Sequence, residues 1–128
     1  MAHWTLLTTM LALTPVAIPE ALSPGSDTWT RLPGTRAVYQ SLFDDGRVRR
    51  AWIGMREVAA RVSARPDAWA FTIRRTEFDC RARTLRLVDG VAFARDQRPV
   101  QRLGPKPAFR VPRGTEAEAQ LDAICSIL

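Results

Sequence analysis

Histidine is almost missing from this chain. The single one, His3, stands in the first few residues. That excludes a Ser/His/Asp hydrolase set or a histidine metal cluster built inside the body of the protein. Lysine is equally scarce: of the 19 basic residues only Lys106 is not arginine. Cysteine is limited to two, Cys80 and Cys125, too far apart for the close C-x-x-C spacing of a dithiol redox centre. No glycine-rich phosphate-cradling loop occurs, and no internal repeat is visible. The longest apolar run, Trp4–Leu13, is too short to span a bilayer.

What remains is a 128-residue chain, 46% hydrophobic, with four Trp and five Phe, enough for one folded domain with a modest core. Its formal net charge of +6 permits a polyanionic partner. The arginines are nevertheless spread from Arg31 to Arg113 with acids between them, not gathered on one block or helix face. A solvated mixed-charge surface is the plainer reading. An arginine bias shared with alanine and proline explains the composition without a function.

Residues 1–25 carry the run Trp4–Leu13, then Pro15, Pro19 and Pro24, and no acid before Glu20. This suits a cleaved export signal followed by a short linker. The absence of Lys or Arg from its start, and the proline two residues before each of Ala17 and Ala21 (position −3 of a cleavage after either), leave an uncleaved anchor or a buried N-terminal element as alternatives. The folded domain is expected over 27–128.

Along that domain, "VYQSLF" (38–43) alternates as a strand does, and "DDG" (44–46) supplies a turn. "RVRRAWIGMREVAARV" (47–62) begins with a second strand signal. "WAFTIRRTEFDCRARTLRLVDG" (69–90) is the longest strand-like piece. Its apolar residues change parity, with Phe71 and Ile73 on one side and Phe78 and Cys80 on the other, so bulges near 74–75 and 83–84 are expected to restore a single face. Asp89-Gly90 favours a tight hairpin turn, with 91–97 as the returning strand. Residues 98–114, with four prolines and two glycines, read as irregular. Thr115 and Glu118 form a capping box ahead of a helix whose apolar stripe is Ala117, Leu121, Ile124 and Leu128. The expected fold is α+β: an antiparallel β-sheet of about five or six strands with a C-terminal α-helix packed on one face.

Cys80 lies among Arg74, Arg75, Arg81, Arg83 and Arg86. Positive charge of that kind can lower a thiol pKa and make a nucleophile, but such chemistry wants a general base, and the domain has no histidine to serve. In an exported protein an even cysteine count favours pairing, so Cys80 and Cys125 are read as one disulfide. Asp44-Asp45 reads as turn chemistry, and Glu77 and Asp79 as strand carboxylates paired with arginine, so neither pair is taken as catalytic.

The chain resembles the surface-adhesin protein E-like family of small exported bacterial domains. The residues that carry the likeness are an opening Trp29, the stretch "VYQSLFDDGRVRRAW" ending in Trp52, the element Glu77-Phe78-Asp79-Cys80 before a basic strand, the "VPRGT" approach to the helix (111–115) and Cys125. The resemblance implies an antiparallel sheet with a C-terminal helix across it and a non-enzymatic binding role at the envelope, in the periplasm or on the cell surface. The expectations are then a protein or glycan ligand in the envelope or outside the cell, a homodimer as an option, no cofactor or metal, and no transmembrane helix in the mature chain. Arg74, Arg81, Arg83 and Arg86 are candidates for an exposed binding strip, against the simpler view that they are solvated strand residues. The alternative function is a basic polyanion binder for glycan, lipid head-group or nucleic acid. Nucleic acid is disfavoured because aromatics do not interleave with the arginines.

Overall fold

In a computed structural model, residues 23–57 and 65–127 are described. The strands are β1 (Thr30–Arg31), β2 (Ala37–Asp44), β3 (Arg49–Arg56), β4 (Phe71–Asp79), β5 (Thr84–Phe93), β6 (Pro99–Leu103) and β7 (Phe109–Arg110), followed by the helix α1 (Glu116–Ser126). The first six strands are neighbours in chain order, and every pairing is antiparallel. β7 adds to the far end of β5, beyond β6. The architecture is the α+β arrangement expected: an antiparallel sheet, one C-terminal helix against it, and one disulfide. The proposed export signal, apart from its last few residues, lies outside the described residues, as does Leu128 of the helical stripe.

Strand parity divides the sheet into two working faces. β3 and β4 pair in unbroken register from Arg49↔Phe78 to Arg56↔Phe71. Alternation therefore puts Ala51, Ile53, Met55, Thr72, Arg74, Thr76 and Phe78 on one side, and Arg50, Trp52, Gly54, Phe71, Ile73, Arg75 and Glu77 on the other. Both faces carry a core. Under α1, Phe78, Leu121, Ile124, Leu32, Ala37, Ala51, Ile53 and Val111 form the larger cluster. On the opposite face Ile73, Val91 and Phe93 are buried, with Trp29, Trp52 and Phe71 packed on them. Trp29 meets Phe71 edge-on at 6.3 Å between ring centres and donates its indole N–H to the Ser23 carbonyl, so the segment before β1 belongs to this second cluster.

This arrangement corrects the expectation for 69–90. The stretch is not one strand: β4 ends at Asp79, and a turn over 80–83 leads into β5. No bulge is needed in β4, because Phe71 and Ile73 serve one core while Phe78 serves the other. The register shift instead falls in β5, where Arg75 faces Asp89 but Thr76 faces Leu87, leaving Val88 as the extra residue. Leu85 and Leu87 consequently face the helix, and Val91 and Phe93 face away, although all four numbers are odd.

Asp89-Gly90 is not a turn. Gly90 is buried within β5, opposite Arg74 on one side and Leu103 on the other. A Cβ there would run into the Ile73 carbonyl and stand 3.1 Å from the Arg74 Cα. The glycine is explained by strand-to-strand approach beside the bulge, a need that a turn signal imitates. The reversal comes later, where the Gln97 N–H donates to the Ala94 carbonyl. The 98–114 stretch likewise contains β6 and β7 rather than irregular chain alone.

The helix begins as anticipated. The Thr115 hydroxyl accepts from the Glu118 N–H at 3.2 Å, while the Glu118 carboxylate reaches the Gly114 N–H, one residue earlier than the usual reciprocal bond. Its other end has no basic residue of its own. Arg49 on β3 fills that role, donating from Nη1 to the Ile124 and Ile127 carbonyls while its Nε meets Asp44. Cys80 and Cys125 are bonded, with S–S 2.05 Å, so the 80–83 turn is tied to the last helical turn. The neighbouring turn behaves as read from sequence: Asp44 accepts from Gly46 N–H, and Asp45 from Arg47 and Val48 N–H.

Candidate functional site

α1 covers only part of its face of the sheet. Towards the β3 and β4 ends that carry Met55 and Thr72, the floor stays open, and the chain from Lys106 to Phe109 rises along the far side. The result is a cleft of about 670 Å³ between sheet, helix and that segment. Leu85, Leu87 and Leu103 form one apolar wall, Ile53 and Met55 the other, and Ala117 contributes from the helix. Trp69 and Phe109 border the opening and stay 38% and 45% exposed, two of the three large apolar side chains left exposed among the described residues. A large aromatic left in water at the mouth of an apolar cleft is a feature of recognition surfaces rather than of cores.

The polar groups in the cleft are few. Thr72 and Arg74 are two apart on β4 and so share its helix-side face, roughly 7 Å from one another along the strand. Thr72 is 1% exposed, and its hydroxyl has no hydrogen-bond partner among the described residues. Arg74 makes an ion pair with Glu57 at 3.6 Å, well beyond the length of a charge-assisted hydrogen bond. Lys106 stands at the rim. On the helix side Gln120 is held by Glu116, whose carboxylate also accepts from the Arg36 N–H. The lining residues include no histidine and no cysteine.

The four arginines considered as a binding strip do not form one. Arg74 faces the cleft on the helix side. Arg86 projects from the opposite face, where it and Arg50 grip Glu77 from its two carboxylate oxygens. Arg81 and Arg83 lie in the 80–83 turn, and Arg83 bridges to Glu118 and Asp122 of α1. Strand alternation separates Arg74 from Arg86, and the turn removes the other two from the sheet.

The Arg50–Glu77–Arg86 row is part of a wider charged border on the second face. Arg75 bonds Asp89 at 3.1 Å and lies 5.7 Å above the Trp52 ring. Burial pushes the Glu77 carboxyl up, but the hydrogen bonds from Arg50 and Arg86 outweigh it and hold the group below its ordinary value. Asp79, the other carboxylate of that sequence element, accepts from the Ala82 N–H and shapes the turn. These are paired, structural charges.

Among the described residues no group of three or more His, Cys, Asp or Glu side chains is placed to hold a metal ion, and no helix is long and apolar enough to cross a membrane. No protein-family model matches the chain, and neither a curated protein nor a solved structure matches it. The cleft itself was not legible as a site in the sequence. Thr72, Arg74 and Thr76 show as a polar alternation within β4, but the residues that close the cleft come from a segment that reads as irregular.

Proposed function

We propose that this chain is an exported, non-enzymatic binding module of the adhesin-like kind, and that it takes its ligand in the apolar cleft beside α1. The observation that carries the reading is the pair of aromatics, Trp69 and Phe109, left exposed at the mouth of a cleft of about 670 Å³. That volume falls in the range of small-molecule sites, and the lining has the matching make-up, apolar walls with a few polar groups that can orient a ligand. The disulfide supports an oxidising compartment, in keeping with the leader-like N-terminal sequence. The division of Arg74, Arg81, Arg83 and Arg86 between different parts of the surface lends no support to a polyanion strip.

Titration with Nile red, an uncharged apolar dye, tests the cleft. The protein recovered from the periplasm should bind one equivalent with enhanced, blue-shifted emission, and Ala108→Trp, which puts an indole into the opening, should abolish it. Equal dye binding by that variant would sink the cleft as the site. Cell fractionation with intact mass tests export and processing: recovery in the periplasm without the leader is expected, and a full-length chain confined to the cytoplasm would contradict it.

A further inference from the structure

The cleft contains a chemical mismatch that its own residues do not resolve. Thr72 is buried to 1% exposure, its hydroxyl has no partner among the described residues, and it lines a cleft that is mostly hydrocarbon, with Arg74, Thr76 and Lys106 on one side and Glu116 and Gln120 on the helix. A buried hydroxyl without a partner is costly, and folded proteins rarely retain one unless something outside the chain completes it. Its neighbour on the same face, Arg74, has five N–H donors, and among the described residues its guanidinium has only the long pairing to Glu57 at 3.6 Å. Both groups can donate, and among the described residues neither has an acceptor at hydrogen-bonding distance.

From this juxtaposition we propose that the cleft binds a free fatty carboxylate, with the head-group oxygens on Thr72 and Arg74 and the alkyl chain along Leu85, Leu87, Leu103 and Phe109. The proposal rests on the cleft reading above and narrows it to one ligand class. A carboxylate supplies only acceptors, which is what a hydroxyl donor and a guanidinium fork require. A single negative charge suits a single guanidinium already neighboured by Glu57, whereas a dianionic phosphate would want more cations than Arg74 and the rim Lys106. The long apolar wall has no acceptor need of its own, so it favours an unbranched hydrocarbon over a sugar or a peptide backbone, whose polar groups would be buried there unpaired.

Calorimetric titration of the full chain, with Nile red binding in parallel, tests the assignment. Dodecanoate should bind at one equivalent. Each methylene removed should weaken binding about fourfold, so octanoate should be more than about a hundredfold weaker. 1-Dodecanol should bind at least about a hundredfold more weakly than dodecanoate, the factor expected for losing two hydrogen bonds to a charged group, one at Thr72 and one at Arg74. Thr72→Val, close in shape, should weaken dodecanoate about tenfold, the share of one such bond, leave Nile red and dodecanol unchanged, and raise the melting temperature because the orphan hydroxyl is gone. Arg74→Gln should weaken dodecanoate alone. Equal affinity for dodecanoate and dodecanol, or dodecanoate binding untouched in both variants, would overturn the head-group assignment while Nile red still reports the cleft. Absence of both dye and dodecanoate binding would overturn the cleft reading as well.

Discussion

Replacing both disulfide cysteines, Cys80→Ala with Cys125→Ala, should remove a large part of the stability of this domain. The bond joins positions 45 residues apart. In the chain-entropy picture a loop of that size takes about 13 cal/mol/K from the unfolded ensemble, or about 4 kcal/mol at 25 °C. A domain of this size has a total stability on the order of 5–15 kcal/mol, so the loss is a substantial fraction. At about 4–8 °C per kcal/mol, the melting temperature should fall by about 16–32 °C. Both cysteines are only partly buried, and changing them together leaves no lone thiol, so the substitutions themselves add little cavity cost. Thermal unfolding followed by circular dichroism gives the global number. Hydrogen exchange gives the local one: the bond ties the 80–83 turn to the last turn of α1, so amides near Ile124 should lose protection before those of β3 and β4. A fall of less than about 5 °C would refute the loop-closure reasoning. Uniform loss of protection would refute the idea that the bond pins the helix end.

Two further outcomes follow from charged groups. Arg49→Met removes the donor that caps the Ile124 and Ile127 carbonyls from β3, and should cost about 1–3 kcal/mol in chemical denaturation, with the last helical turn fraying first; an unchanged midpoint would show that water replaces the cap at no cost. Glu77 has a folded pKa below its ordinary value, so its contribution is fully present above the unfolded pKa near 4.5 and is lost as pH falls through the folded one. Glu77→Gln should therefore flatten the decline in stability below about pH 4.5, and an acid limb as steep as that of the unmodified protein would contradict the pairing with Arg50 and Arg86.

The parts of the fold that could be read from sequence were those fixed by local chemistry. Asp44 and Asp45 accept from nearby backbone N–H groups whatever the tertiary context, so the turn was visible. Thr115 with Glu118 marked the helix start for the same reason. The disulfide was legible from an even cysteine count read together with a leader-like N-terminal sequence. The parity changes through 69–90 are visible too, but a single buried face does not account for them, because Ile73 and Phe78 belong to different cores on opposite sides of the sheet. Gly90 misled because one residue type serves both a primed turn and close strand packing, and only the neighbouring strand distinguishes them. The cleft depends on non-local closure: Phe109 reaches it through pairing with Leu85, across a stretch whose prolines hide two short strands.

Val88, the one residue of β5 without a partner on β4, ties the history of the cleft to that of the sheet. Below it β5 shows Leu85 and Leu87 to the helix; above it Val91 and Phe93 turn to the other side. A single-residue deletion there would throw one half of the strand out of phase, sending either the cleft wall or the second core into the wrong environment. Exchanges among aliphatic residues at 85, 87 or 103 carry no such penalty, since they alter depth and contour while leaving phase intact. Aliphatic exchange can therefore reshape the lining of this cleft without moving it, whereas the position of the cleft on the sheet shifts only if both cores are brought into a new phase together.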